Sequence, residues 1–329
     1  MGDGHNPSTI SLSARLSDLG YAAGWAAVRH APESLARGAF DRVGNIVGRR
    51  HGGPDQLRRN LSRVLGVDPD DVPDDLVAAA VRSYARYWCE AFRLPALDLA
   101  QTASTVTVPP ADRAHVDAAL AGGKGVILTL PHTGNWDMAG VWLVQNYGRF
   151  ATVAERLEPE SLFTRFVAYR ESLGFEIFPL SGGEQPPFGL LADRLRDNGI
   201  VCLLGERDLA HHGVPVDFFG EKTRMPAGSA RLAIETGAAL LPVHHWFTEP
   251  PTSRICCGAP IDVSGGVEAA TQALADAFAR NIAAHPQDWH MLQPLWEADW
   301  SAARRARIEA AGEGSAAPTR ETGREEWRR

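Results

Sequence analysis

A histidine and an aspartate five positions apart form the pair in this sequence best suited to moving a proton. His132 and Asp137 follow the apolar run Gly125–Leu130. If that run is a buried strand, His132 lies on a turn at its carboxyl end, where open α/β sheets bind ligands. Residues five apart do not share a helical face, so we expect Asp137 to look back from a helix that starts near Asn135. Its carboxylate would fix the tautomer of the imidazole, and His132 is predicted to act as a general base.

The segments around this pair alternate short apolar runs with helical patterns. The predicted strands are Gly125–Leu130, Phe150–Ala154, Glu176–Pro179, Gly199–Leu204 and Ala239–His244. The predicted helices between them are Trp136–Asn146, Phe163–Ser172, Phe188–Asp197 and Gly228–Thr236. This alternation is typical of βαβ units. It predicts a single α/β domain with a largely parallel central sheet flanked by helices.

The chain before residue 100 has a helical pattern and a basic character. Between residues 11 and 63, nine arginines outnumber four acidic residues. Such helices either pack against their own core or lie in a membrane interface. We expect a flexible N-terminus over residues 1–11, a catalytic domain over 12–311 with a helical, membrane-facing part at 12–100, and a disordered tail at 312–329. Apolar residues recur in this region at Leu12, Leu16, Leu19, Ala23 and Ala27, and again within Pro73–Pro95.

The composition excludes several classes of protein. A net charge of −7 and a pI near 5.9 disfavour a nucleic-acid binder, which needs a basic face. Since no run of about 18 apolar residues occurs, no membrane-spanning helix is predicted. The four cysteines lack C-x-x-C spacing, and His211 and His212 beside Asp208 lack a third ligand, so we expect a reducing compartment and no metal site. Without a G-x-S-x-G motif, a serine hydrolase is also disfavoured.

Three further sequence blocks follow the His132 block in order. They are Tyr169–Phe175, Gly205–Asp208 with Pro215–Gly220, and Pro226–Ala230 with Thr236–Ala238. Together with His132 and Asp137, this ordered set resembles the glycerolipid and lysophospholipid acyltransferase superfamily over roughly residues 10 to 300. The resemblance implies that an acyl chain moves from a thioester to a hydroxyl group. It also implies that acyl-CoA serves as a co-substrate and that no cofactor is needed.

The resemblance assigns expected roles to individual residues. His132, Asp137 and Glu206 are expected to be catalytic, with Glu206 engaging the acceptor. Other readings stay open: Glu206 could pair with Arg207, Arg170 could form a surface ion pair, and His290 could be a packed histidine. The residues expected to contact substrate are Glu155, Arg170, Arg207, Pro226, Gly228 and His290.

Within the superfamily the chain is most similar to the phosphatidylinositol mannoside acyltransferases, on Tyr21–Trp25, His132–Asp137 and Gly205–Leu209. This implies transfer of palmitate from palmitoyl-CoA to the 6-hydroxyl of the mannose on the inositol 2-position. It further implies a peripheral protein, expected to be a monomer, on the anionic cytoplasmic face of the inner membrane. Alternatives are an acyl carrier protein donor, a lipid A-type acceptor, a thioesterase that activates water, and a non-catalytic lipid-binding protein.

Overall fold

A seven-stranded sheet forms the centre of the molecule. The computed structural model describes residues 24–155, 160–183, 185–208 and 213–315. The strand order is β1-β9-β8-β2-β5-β3-β4; within it only β9 is antiparallel to a neighbour, β8. The largely parallel sheet predicted from the sequence is therefore confirmed. The strands are β1 Val106–Thr107, β2 Val126–Leu130, β3 Ala151–Ala154, β4 Glu176–Pro179, β5 Ile200–Leu204, β6 Val214–Phe218, β7 Glu221–Met225, β8 Ala239–Phe247 and β9 Ser253–Cys257.

Helices cover both faces of this sheet and build two hydrophobic cores. Side chains of α5 to α8 pack on one face, and those of α9 to α11 pack on the other. Within the described residues, no helix combines the length and the hydropathy that crossing a bilayer requires. The helices are α1 (residues 24–30), α2 Glu33–Arg49, α3 Asp55–Leu65, α4 Asp74–Arg93, α5 Leu99–Ser104, α6 Pro110–Ala121, α7 Trp136–Tyr147, α8 Glu160–Ser172, α9 Pro187–Arg196, α10 Gly228–Thr236, α11 Gly266–Ala284 and α12 Ala302–Ser315.

Helices α1 to α4 form the predicted N-terminal helical layer. Helix α2 packs tightly on α4, because a Cβ at Gly48 would lie 2.7 Å from the Ala78 Cα. Its other side carries four exposed apolar side chains, which we call the α2 apolar stripe: Leu35, Val43, Ile46 and Val47. The predicted flexible segment 1–11, and the start of the predicted first helix, lie outside the described residues.

The β6–β7 hairpin and strands β1 and β9 were not predicted from the sequence. In the hairpin, Phe218 pairs with Glu221, so only Phe219 and Gly220 form the turn, and both have positive φ. This is the two-residue turn favoured between antiparallel strands. Its buried residues alternate over only five positions, which is too short for a clear strand signal. Helix α12 reaches Ser315, four residues into the segment expected to be disordered.

Candidate active site

We call the segment between β2 and α7, residues 131–135, the catalytic turn, because it carries the predicted general base His132. Strand β2 ends at Leu130 and α7 begins at Trp136, as the sequence predicted. The Asn135 side chain caps the helix by accepting a hydrogen bond from the Met138 amide at 3.0 Å. Gly134 has φ +56°, and any Cβ there would collide with the His245 ring. The turn therefore requires glycine at this position.

His132 pairs with Glu206, not with Asp137. The Nδ1 atom of His132 lies 2.7 Å from Glu206 Oε1, and the His132 backbone amide donates to the same oxygen at 2.5 Å. Glu206 is fully buried, whereas the His132 side chain is 24% exposed. Because Nδ1 carries the proton toward the carboxylate, Nε2 is left as a proton acceptor. This is the orientation that a general base requires.

The register of the sheet explains this pairing. Strands β2 and β5 are parallel neighbours, with Leu130 opposite Leu204. Two residues further along each chain, His132 and Glu206 lie side by side. The sequence showed that both residues follow strands, but it did not show that the strands are adjacent. The hydrogen bond that the Asp137 carboxylate was expected to accept from His132 is therefore not formed; Glu206 accepts it instead.

Asp137 instead anchors the side chains behind His132. Its Oδ1 accepts a hydrogen bond from Arg170 Nε at 2.8 Å, and its Oδ2 accepts one from the Tyr87 hydroxyl at 3.2 Å. Asp137 points into the first turn of α7 and is buried. Burial tends to lower the pKa of Arg170, but Asp137 outweighs it, and the pKa rises above its ordinary value. Burial and then the Asp137 charge raise the pKa of Tyr87 well above its usual range.

Every amide of residues 132–135 already donates a hydrogen bond within the protein. The His132 amide donates to Glu206, and that of Thr133 to the Pro131 carbonyl at 2.8 Å. The Gly134 amide donates to the Asp288 carbonyl at 2.8 Å. The next two amides, of Trp136 and Asp137, donate to no residue in the part of the chain that the structure describes.

The buried side of the turn is held by three polar groups. The Asn135 amide donates to His245 Nδ1 at 2.7 Å, and Nε2 of that ring lies 2.9 Å from Ser253 Oγ. The Asn135 side-chain amide donates to the buried Glu90 carboxylate at 3.0 Å. Burial lowers the pKa of His245 to about 3, so the ring is neutral and Nδ1 can accept. Asp288 supplies the third contact, through its carbonyl.

His290 lies behind the groove and is buried. Its backbone amide donates to the His132 carbonyl at 2.8 Å, and its Nε2 lies 3.0 Å from Ser83 Oγ. The ring packs near Tyr84, Tyr87 and Trp136. Burial and the proximity of His132 lower its pKa to about 3. In this structure His290 therefore contacts the catalytic turn and does not line the groove expected to hold substrate.

An apolar groove of about 400 Å³ opens in front of His132, within the usual size range of ligand pockets. The N-terminal layer forms one wall through Tyr87 and Trp88, and Trp25 of α1 packs against Phe166 of another wall. A second cavity of about 90 Å³, lined by Asp137, Cys202 and Cys257, shares lining residues with the groove. Those shared residues are Trp136, Val153, Arg170, Leu203 and Leu204.

Most of the residues predicted to bind substrate meet in this groove. Glu155 lines it after β3, Arg207 lines it after β5, and Pro226 and Gly228 line it before α10. Arg170 lines it as well, while its Nε is held by Asp137. Across the described ranges, no group of three His, Cys, Asp or Glu side chains could hold a metal ion.

Sequence reasoning missed Tyr87, Glu90 and His245. Each is buried and contacts the site from an element distant in sequence. Tyr87 and Glu90 lie within the helical pattern Pro73–Pro95, and His245 directly follows the predicted strand Ala239–His244.

Comparisons with known proteins agree with this geometry. Residues 10–298 match the family model of bacterial lipid A biosynthesis acyltransferases. A phosphatidylinositol mannoside acyltransferase of Mycolicibacterium smegmatis is 60% identical over 299 residues, covering 91% of this chain and 97% of the relative. A protein of the same name from Mycobacterium tuberculosis is 59% identical over 298 residues, covering 91% and 94%. The chain belongs to the bacterial lipid A biosynthesis acyltransferase family.

Proposed function

We propose that this acyltransferase moves a palmitoyl group from palmitoyl-CoA to the 6-hydroxyl of the mannose on the inositol 2-position of a phosphatidylinositol mannoside. The observation that carries the proposal is the His132–Glu206 pair, placed at an apolar groove with Nε2 available. The two relatives, each about 60% identical, are named phosphatidylinositol mannoside acyltransferases, which supports this acceptor. The donor and the position of the hydroxyl rest on the family resemblance.

His132 acts as the general base. Its Nε2 takes the proton of the mannose hydroxyl while the hydroxyl oxygen attacks the thioester carbonyl carbon. The tetrahedral intermediate collapses, the carbon–sulfur bond breaks, and the thiolate leaves. The imidazolium then returns its proton to the thiolate to give the free thiol. The Glu206 carboxylate stabilises the imidazolium while it exists, because Oε1 accepts the hydrogen bond from Nδ1–H.

The oxyanion of the intermediate needs donors that the turn itself does not offer. Since the amides of residues 132–135 are occupied, the amides of Trp136 and Asp137 at the start of α7 are the available backbone donors. They lie at the positive end of a helix dipole, which favours a developing negative charge. We assign the oxyanion to this helix start.

The groove suits an acyl chain, and the second cavity borders it. Apolar side chains predominate in the lining of both. A palmitoyl chain placed in the groove would remove apolar surface from water, which favours binding by about 25 cal/mol per Å². Asp137 and Arg170 line the second cavity as an ion pair, so together they add no net charge to it.

The protein binds the membrane peripherally through the N-terminal layer. The α2 apolar stripe is exposed, and Arg42 and Arg49 on the same helix are exposed beside it. An amphipathic helix of this kind inserts its apolar face among lipid head groups, while arginines contact anionic lipid.

Ile46→Ser should weaken sedimentation with anionic vesicles. Ile234→Ser, which changes an exposed isoleucine on α10, should not. If the Ile46→Ser variant and the native protein sediment equally, the α2 apolar stripe is not the membrane-binding surface.

The test of function is transfer of labelled palmitate from palmitoyl-CoA to a purified phosphatidylinositol mannoside, with mass spectrometry locating the ester. Phosphatidylinositol without mannose is the control acceptor. We expect one new ester, on the mannose 6-hydroxyl, and no acylation of the control. An ester at another position would contradict the regiochemistry, and acylation of the control would contradict the acceptor.

A thioesterase is the second candidate, because the same base could activate water. The two activities separate in the same assay. If free palmitate forms at the same rate with and without acceptor, hydrolysis is the main reaction. If thiol release depends on acceptor and matches ester formation, transfer is the main reaction. A non-catalytic lipid-binding protein would release no thiol under either condition.

A further inference from the structure

An arginine cluster lies near Glu206. Arg207 follows Glu206 directly and lines the groove. Arg304 of α12 reaches this segment, because its Nη2 donates to the Asp208 carbonyl at 3.3 Å. Arg307 is exposed and lies three positions after Arg304, so the two share a helical face. We call Arg207, Arg304 and Arg307 the arginine cluster.

The cluster concentrates positive charge. Among the described residues, no carboxylate lies within ion-pair distance of Arg207, Arg304 or Arg307, although the Asp208 charge acts on Arg304. The Arg304 guanidinium packs on Trp300, 4.6 Å from the centre of the ring. Its Nε is buried and has no hydrogen-bond partner in the part of the chain that the structure describes.

Electrostatics agree with this crowding. Burial lowers the pKa of Arg304, and the charges of Arg207 and Arg307 lower it further, although Asp208 opposes them. Like charges held together cost free energy unless an anion joins them. Planar guanidinium groups grip phosphate oxygens with paired hydrogen bonds, so arginine clusters are typical phosphate sites.

We propose that the arginine cluster binds the phosphate groups of the acyl-CoA donor's nucleotide. The proposal rests on the proposed function for its choice of donor. With the acyl chain in the groove and the thioester at His132, the polar end of the donor must leave the groove. Arg207 lines the groove next to Glu206, and Arg304 and Arg307 add positive charge near it. The phosphodiester of the lipid acceptor has the same chemistry, and the experiment separates the two sources.

The first arm measures binding by calorimetry, with coenzyme A, 3′-dephospho-coenzyme A and pantetheine as ligands. The native protein should bind them in that order, because phosphates are lost along the series. Arg304→Gln combined with Arg307→Gln should weaken coenzyme A binding about tenfold, which is typical of a lost charge-assisted contact. The same double variant should also reduce the differences in affinity between the three ligands. Glutamine keeps part of the stem on Trp300, and thermal unfolding checks that the variant folds.

Arg305→Gln is the matched control, because it removes one charge from the same helix at a position outside the cluster. Its coenzyme A affinity should stay within about twofold of the native value. If the cluster variant binds coenzyme A as tightly as the native protein, the proposal is overturned.

The second arm measures KM for each substrate. A higher KM for palmitoyl-CoA with an unchanged KM for the lipid acceptor supports the proposal. The reverse result overturns it and assigns the cluster to the acceptor's phosphate. Absence of transfer by the native chain would remove the proposed function, while the calorimetric arm would still decide whether the cluster binds the nucleotide.

Discussion

The two sides of the catalytic turn use polar groups for different purposes. On the groove side, His132 is partly exposed, bonds a single carboxylate and keeps one nitrogen available. On the buried side, His245, Glu90 and the Asp288 carbonyl hold the backbone and the Asn135 side chain. The two histidines differ in role because one ring has a free nitrogen facing a groove and the other has both nitrogens occupied. A general base at this position needs one accessible ring nitrogen, and it needs a backbone that several hydrogen bonds hold in place.

The largest effect on activity should come from removing the His132 ring, which carries the accessible Nε2. His132→Ala should lower kcat/KM roughly 10³-fold, because the general base is lost. The free energy of unfolding should change little, since the ring is partly exposed. His115→Ala, which alters a histidine bonded to the Cys257 carbonyl away from the groove, is the control. Retained transfer in the His132→Ala protein would end the proposed mechanism.

Glu206→Gln tests the partner on the groove side. It keeps the shape of the side chain but removes the charge that stabilises the imidazolium. We expect kcat to fall roughly 10²-fold to 10³-fold, with the KM of both substrates little changed. Steady-state kinetics measure the two constants separately. A change confined to the acceptor KM would mean that Glu206 binds the sugar and does not serve the base.

Asp137→Asn should act mainly on stability. The substitution leaves the Arg170 charge without its partner in a largely buried site, so the free energy of unfolding should fall by about 3 kcal/mol. Urea denaturation measures this change. Asp193→Asn breaks an exposed ion pair with Arg196 and should change the same quantity by less than about 1 kcal/mol.

The same comparison shows whether Asp137 takes part in the chemistry. A double variant, Asp137→Asn with Arg170→Met, should recover part of the lost stability, because the uncompensated charge is gone. An Asp137→Asn protein as stable as the native one, yet as inactive as His132→Ala, would place Asp137 in the reaction.

The buried side should show its effect only at low pH, as a dependence of stability on pH. Burial lowers the pKa of His244, His245 and His290 to about 3 from an ordinary value of 6.5. Between pH 6.5 and 3 the unfolded chain therefore binds protons that the folded chain does not. The free energy of unfolding should fall as pH decreases through this window, by up to about 1.4 kcal/mol per pH unit for each histidine.

His245→Gln isolates one of these groups. It should reduce the slope between pH 6 and 4 by about one histidine's contribution, as measured by urea denaturation at several pH values. It should also lower kcat, because Asn135 loses its ring acceptor. An unchanged slope would show that His245 is not held neutral by the fold.

The architecture could largely be predicted from the sequence, because apolar runs and helical periodicity are local properties. Such patterns predict strands β2 to β5, the start of α7 at Trp136 and the position of His132. The partner of His132 could not be predicted, since it depends on β5 lying next to β2. The roles of Asp137 and His290 could not be predicted either, because they depend on how α4 and the short helix Pro286–Asp288 pack around the catalytic turn.

The strand order has a further consequence for self-association. The sheet ends in β1, which has two residues, and in β4, which has four and finishes at Pro179. An exposed sheet edge invites another chain to add a strand, and short edges with proline offer few unpaired amides and carbonyls. The longest strand, β8 with nine residues, is placed between β9 and β2. The longest strand therefore presents no free edge on which another molecule could add a strand.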